Sequence, residues 1–195
     1  MNFLMHKLLI LALCAFVSGC AFNPQKANVA PTVAVMASNE GKGVSVAVRV
    51  VDERPSKSLG RRGTAYGAAA EITSVQEISF IVQREIGDAL KKKGYSVVEY
   101  RDALNPRLSV EVRLLQYSTS QGFWTGGVQI QSALKANATN GVRTYEKMYR
   151  SEKEERVMVV PTAETNERWI NDALSDVLNQ LLNDSRLFSV LQKGG

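Results

Sequence analysis

Histidine and cysteine are nearly missing from this 195-residue chain, which holds one histidine, His6, and two cysteines, Cys14 and Cys20. Beyond residue 20 neither type occurs, so serine-histidine and cysteine-histidine nucleophilic catalysis and the usual zinc sites are excluded. No disulfide can staple the fold either. Long apolar runs are scarce: residues 8–17 reach only about half of the roughly 20 helical residues needed to cross a bilayer. Charge of one sign is not concentrated anywhere. The 24 lysines and arginines stand among 19 acids, a net +5, scattered so that nucleic acid is not an expected partner and at most a weak preference for anionic surfaces follows.

What the chain does have is the composition of one ordinary domain, with 45% hydrophobic residues and enough length for a core of its own. The first nineteen residues stand apart. His6 and Lys7 precede the apolar stretch and small residues follow it, the three-part layout of an export signal. That signal ends in Val17-Ser18-Gly19-Cys20, which resembles the bacterial lipobox. The resemblance implies cleavage between Gly19 and Cys20 and a diacylglyceryl group on the Cys20 sulfur. Three acyl chains, at about 0.8 kcal/mol per buried methylene, exceed what stable membrane attachment needs. Ala21, where lipoproteins kept in the inner membrane tend to carry aspartate, implies an outer-membrane address with the domain in the periplasm.

Residues 20–43 mix Pro, Asn, Ala and Gly without helical period and read as a lipidated tether of about 25 Å reach, within which residues 32–36 alternate enough to add an edge strand. A single domain is expected over 44–193. It opens with Val44, Val46, Val48 and Val50 on one face of a strand. A polar, glycine-rich loop follows over 52–71, too long for a routine connection. Ser74 and Glu77 have capping-box spacing and predict a helix whose apolar positions run from Val75 to Leu90, with Gly94 as its left-handed stop. Lys91, Lys92 and Lys93 near its end complement the helix dipole. Further strands are expected at 95–100, at 108–115 with Leu108, Val110, Val112 and Leu114 inward, and at 128–139. Asn140-Gly141 signals a hairpin back into a charged strand over 142–160 that suits an edge. The period of Trp169, Ile170, Ala173, Leu174, Val177, Leu178, Leu181 and Leu182 predicts a closing amphipathic helix. The expected fold is α+β: a two-layer sandwich, mostly antiparallel, with both helices on one face.

Tests for chemistry come out bland. Ser132 and Lys135 match S-x-x-K, but that motif needs a helical turn and here falls in a strand that sends the two to opposite faces. Gly60, Gly63 and Gly67 lack the rest of a phosphate loop. Glu71, Glu77, Glu99, Asp102 and Glu111 each have a local explanation as a cap, a loop residue or a solvent face. No catalytic residue, metal site or cofactor is expected. Arg61, Arg62 and Tyr66 in the long loop, and Phe123 and Trp124 in a glycine-flanked turn, are the candidates for contact with a partner.

Several segments together resemble the YajG family of uncharacterised bacterial outer-membrane lipoproteins: Gly43-Val44-Ser45-Val46 followed by Asp52-Glu53-Arg54, Leu90-Lys91-Lys92-Lys93-Gly94-Tyr95, Leu108-Ser109-Val110-Glu111-Val112, and residues 169–178. These motifs belong to the scaffold, and the resemblance implies compartment and fold without supplying a catalytic residue. The expectation is a non-enzymatic lipoprotein held to the membrane through Cys20 that engages an envelope protein or polymer. Alternatives are lipid or lipopolysaccharide handling, or a hydrolase built on carboxylates alone.

Overall fold

The computed structural model describes residues 23–63, 69–121 and 126–192, with Gln121 placed in its backbone only. The export signal, Gly19, Cys20, Tyr66, Phe123 and Trp124 lie outside the described residues. Within them the order is β1 (Gln25–Ala27), β2 (Ser45–Asp52), β3 (Gly60–Arg62), β4 (Ala70–Ser74), α1 (Ile78–Lys92), β5 (Ser96–Glu99), β6 (Arg107–Gln121), β7 (Gly126–Thr139), β8 (Thr144–Val157), α2 (Ala163–Leu182) and α3 (Ser185–Leu191).

The α+β class holds, but the sheet is mixed and curled rather than a plain antiparallel layer. β6, β7 and β8 form the expected antiparallel meander. On the other edge of β6 the partners are parallel: β2 along residues 107–112 and β3 at Tyr117. β5 extends the sheet beyond β2, again in parallel, and β4 and β1 extend it beyond β3. The antiparallel expectation failed because β2, β5 and β6, all expected as strands, pair in parallel, and alternation marks a buried face without fixing the direction of the neighbour; β1 and β3, three residues each, are too short to show a period at all. β3 and the start of β4 turn part of what reads as one loop over 52–71 into sheet.

The long strands follow their alternation with one interruption. Leu108, Val110 and Val112 face the core as expected, yet a bulge between Val112 and Leu114 shifts the phase, so Leu115 and Tyr117 turn inward and Leu114 does not. A bulge adds one unpaired residue and bends its strand. At the hairpin, Thr139 pairs with Thr144, so the turn spans residues 140–143. The Asn140 side chain accepts from the amides of Val142 and Arg143, and Gly141 takes a positive φ of 91°.

The start of α1 also differs from the sequence expectation. Ser74 is taken up by β4, where it pairs with Ala27. The helix therefore starts after Glu77, which makes no side-chain cap bond, and Val75 is exposed. Its end is as expected: Gly94 follows at φ 84°, and the amides of Ser38, Gly41 and Gly43 close on the carbonyls of Lys92, Lys93 and Gly94. α1 packs on β2 and β5, α2 and α3 on β7 and β8, and their inner faces share one cluster with Val46, Leu108, Ile130 and Leu134. Within that cluster Leu174, Val177, Leu178 and Leu181 of α2 are fully buried.

The stretch read as a free tether is docked chain from Gln25 onward. Gln25, Ala27, Val29 and Pro31 are buried, Val33 and Val35 are half-buried, and these positions alternate with exposed residues. That period of two over residues 25–35 is the pattern of an extended chain with one face on the core.

Candidate functional site

Several chain segments meet at one end of the molecule. β3 and β4 end there at Arg62 and Ala70, β6 and β7 at Gln121 and Gly126, and β8 at Val157. The first described residues arrive at the same place. Gln25 Nε2 donates to the Ala163 carbonyl at 2.7 Å, at the first residue of α2. Its Oε1 accepts from Asn166 Nδ2 at 3.1 Å, with Arg62 Nη1 at 3.5 Å. Asn166 is completely buried, and its Oδ1 accepts from the Tyr117 hydroxyl at 2.8 Å. Burial pushes that hydroxyl up to about 12 in pKa, against a lowering influence of the Arg62 charge, so it remains a donor. Because a buried amide or hydroxyl left unpaired costs about 1–3 kcal/mol, this network ties the N-terminal strand to β3, β6 and α2.

From Gln25 the chain runs along α2 as a strap. The amides of Asn28, Ala30, Thr32 and Ala34 donate in turn to Glu167 Oε2, Asn171 Oδ1, Ser175 Oγ and Asn179 Oδ1, each at 2.8–2.9 Å. The amide groups of Asn171, Asn179 and Asn183 donate back to the carbonyls of Asn28, Thr32 and Ala34. The matching is geometric: two extended residues advance about 6.6 Å and four helical residues about 6.0 Å. A row of polar side chains spaced by four thus replaces a neighbouring strand. Replacing Asn179 with alanine is expected to leave the fold intact, to cost only about 0.5–1.5 kcal/mol because water reaches these rungs, and to speed amide exchange at Ala34 well above that at Val46. Unchanged exchange at Ala34 would argue against the ladder.

A cleft of about 590 Å³ opens where β2 leaves β6 at Asp52 and β3 joins only at Tyr117. Arg54, Ser56, Ser58, Arg61, Glu71 and Gln116 contribute its polar walls, with Pro55 and Leu114 between them. Arg54 is 7% exposed and lies in a two-pronged bond to Asp52, Nε to Oδ1 and Nη2 to Oδ2, both at 2.9 Å. Burial alone would raise the Asp52 carboxyl, but Arg54 and Lys57 outweigh it and hold the pKa below its ordinary value. Gly60 admits β3 here: its φ is 138°, and a β-carbon would overlap the Tyr117 carbonyl. A smaller recess of about 330 Å³ adjoins the cleft and shares Arg54, Ser58 and Glu71 with it, adding Lys57 and Glu77.

At the opposite end, Asp184 gathers three donors on Oδ2: Lys147 at 2.8 Å, Tyr149 at 2.9 Å and Tyr145 at 3.1 Å. Its Oδ1 caps α3 through the amides of Arg186 and Leu187. Burial pushes the carboxyl up, but Lys147, Tyr149, the Arg186 amide and Tyr145 prevail and bring it to about 2. This is a structural knot: every donor is supplied by the chain itself.

Of the partner-contact candidates, Arg61 sits exposed on the cleft rim across from Glu71, reaching the Ala69 carbonyl at 3.4 Å, and Arg62 joins the Gln25 network. Of the carboxylates weighed for a hydrolase, Glu71 and Glu77 share a recess. Glu111 is paired with Arg113 and Glu99 with Arg101, while Asp102 offers its backbone carbonyl to Arg107. Ser132 is buried and Lys135 is paired with Glu146. Among the described residues no group of three or more acids, histidines or cysteines is placed to hold a metal ion, and no helix is long and apolar enough to cross a membrane. Sequence reasoning missed Gln25, Asn166 and the polar row. The spacing of four from Glu167 to Asn183 is visible in the sequence, but on an amphipathic helix it reads as a solvent face.

A family model described as an uncharacterised lipoprotein, Lipoprotein_16, matches residues 31–192. The chain belongs to this lipoprotein family. Lipid anchoring to a membrane follows from membership of it. No curated protein matches the chain. Among solved structures, protein XCC0632 from Xanthomonas campestris, of the DUF330 family model, shares the fold at a TM-score of 0.54 and 12% identity, covering 86% of this lipoprotein and 95% of its own chain. A Helicobacter pylori protein described as a neuraminyllactose-binding hemagglutinin homolog aligns at a TM-score of 0.46 and 12% identity, over 81% of this chain and 93% of that one.

Proposed function

We propose that this lipoprotein is a non-enzymatic accessory of the cell envelope, cleaved before Cys20, anchored by the lipid on that residue in the outer membrane, and directing its domain into the periplasm, where the cleft between β2 and β3 binds an envelope protein or polymer. The cleft carries the reading. It is open, walled by residues of both charges, and backed by an arginine that Asp52 holds in one orientation. Arg54 is thereby preorganised, which lowers the entropy lost on binding. The lining favours a polar partner over an acyl chain, which needs an apolar wall. Nucleic acid does not enter the proposal.

The test is crosslinking in intact cells from a photoreactive residue at Arg61, with the same residue at Glu146 on the far hairpin as a control. One envelope component captured from position 61 and not from 146 is the expected result. An Arg61→Glu substitution is expected to weaken that component's binding about tenfold, or roughly 1.4 kcal/mol. Identical capture from both positions would overturn the assignment of the cleft.

A further inference from the structure

We infer that the connection between β8 and α2, Met158-Val159-Val160, is a second membrane contact that lies on the phospholipid surface beside the acylated N-terminus. Met158 is 89% exposed, Val159 78% and Val160 40%, three consecutive apolar side chains facing water. Single exposed apolar residues are ordinary, but a contiguous run calls for a partner.

The position of the chain's start selects that partner. Gln25 is hydrogen-bonded to Ala163, three residues past Val160. The strap leaves toward the other end of α2, pairing Asn28 with Glu167 and Ala34 with Asn179. The chain before Gln25 therefore departs from the end that carries Val160. Four residues lie between Cys20 and Gln25, and even fully extended the five Cα-to-Cα steps span about 17 Å. The polar region of one leaflet is itself about 5–8 Å deep. A lipid on Cys20 thus holds this end of the domain within reach of the headgroups, and the exposed run lies at that same end. Arg156 and Lys26 are exposed at the same end and suit anionic headgroups, with Glu154 and Glu155 on β8 and Glu164 on the first turn of α2 as opposing charges. An apolar contact beside a lipid chain adds to the anchor as a second signal does.

The inference rests on the acylation of Cys20, and the experiment separates the two. The acylated full-length lipoprotein is placed on vesicles of phosphatidylethanolamine and phosphatidylglycerol, with a nitroxide at Val159→Cys. The mature chain has no other free thiol. The same label at Val142→Cys, 94% exposed in the far hairpin, serves as the reference. The ratio of oxygen to nickel-chelate accessibility is expected to be roughly fivefold higher at 159 than at 142, as for a group at the acyl boundary. Equal ratios on protein that floats with the vesicles would overturn the contact while leaving the anchor standing. Shielding of 159 from both reagents would mean that protein, a second copy or another partner, covers the run, and would also overturn it. Protein that does not float would remove the anchor, and the contact with it.

Discussion

A mature chain shortened to begin at Val44 is expected to lose its cooperative unfolding transition. The deletion takes away Ala27, Val29, Pro31, Val33 and Val35, which are buried or half-buried against the common core. Valine burial alone is worth about 1.5–3 kcal/mol per fully covered side chain, so these positions together contribute roughly 5 kcal/mol or more. The deletion also strips Gln25 from Asn166, leaving a fully buried amide short of a partner, at about 1–3 kcal/mol. Against a total stability of roughly 5–15 kcal/mol for a domain, that is enough to unfold it. Thermal melting followed by circular dichroism, with the chain from Asn23 as the reference, is the check. A melting temperature within a few degrees of the reference would show that the folding unit starts at Val44 and that the strap is an ornament on it.

Asp184→Ala is expected to destabilise the domain by about 3 kcal/mol, combining a lost helix cap of about 1 kcal/mol with the orphaned hydroxyl of Tyr149. Tyr149 is 1% exposed, so water does not readily replace the carboxylate there. Burial and the neighbouring Asp184 push the tyrosine hydroxyl well above its ordinary pKa, and it donates at every working pH. The acid dependence follows from the depressed carboxyl. Asp184 titrates near 2 in the folded chain and near its ordinary 3.8 when unfolded. Its charge therefore stabilises the fold above about pH 4–5, and the contribution is lost as pH falls toward 2. The gap between parent and Asp184→Ala in urea unfolding should be full at pH 7 and narrow below pH 4. Asp184→Asn retains a capping oxygen and should cost less than the alanine at pH 7. A gap that does not vary between pH 7 and pH 3 would show that the charge of Asp184 contributes nothing.

The sequence was most legible where one physical signal dominates over many residues. β2, the β7–β8 hairpin at Asn140 and Gly141, and the inner faces of α1 and α2 all follow from period and turn chemistry. It was least legible where two signals compete for one residue. Ser74 satisfies the spacing of a capping box, but pairing with Ala27 brings it into β4, and a local motif says nothing of a strand that arrives from far upstream. The strap was hidden for a related reason. Its inward residues are mostly alanine, valine and proline, alternating with small or polar ones, which resembles a linker until the polar row of α2 is known to lie beneath it. At the candidate site, Arg61 and the long segment around it were visible as a polar stretch without a routine structural purpose. The cleft itself was not, because it depends on the parallel partners of β6 changing from β2 to β3.

The strap also acts as a ruler with discrete marks. Only every second amide of residues 28–34 meets the helix, while the intervening side chains meet the core. Losing or gaining one residue there would turn Val29 and Pro31 outward and throw every rung out of step, as a one-residue slip does in a sheet. A change of two residues would restore both patterns one helical turn along. A shift of the strap along the helix can therefore lengthen or shorten the chain ahead of the domain only in pairs of residues, each pair changing its reach by about 6–7 Å.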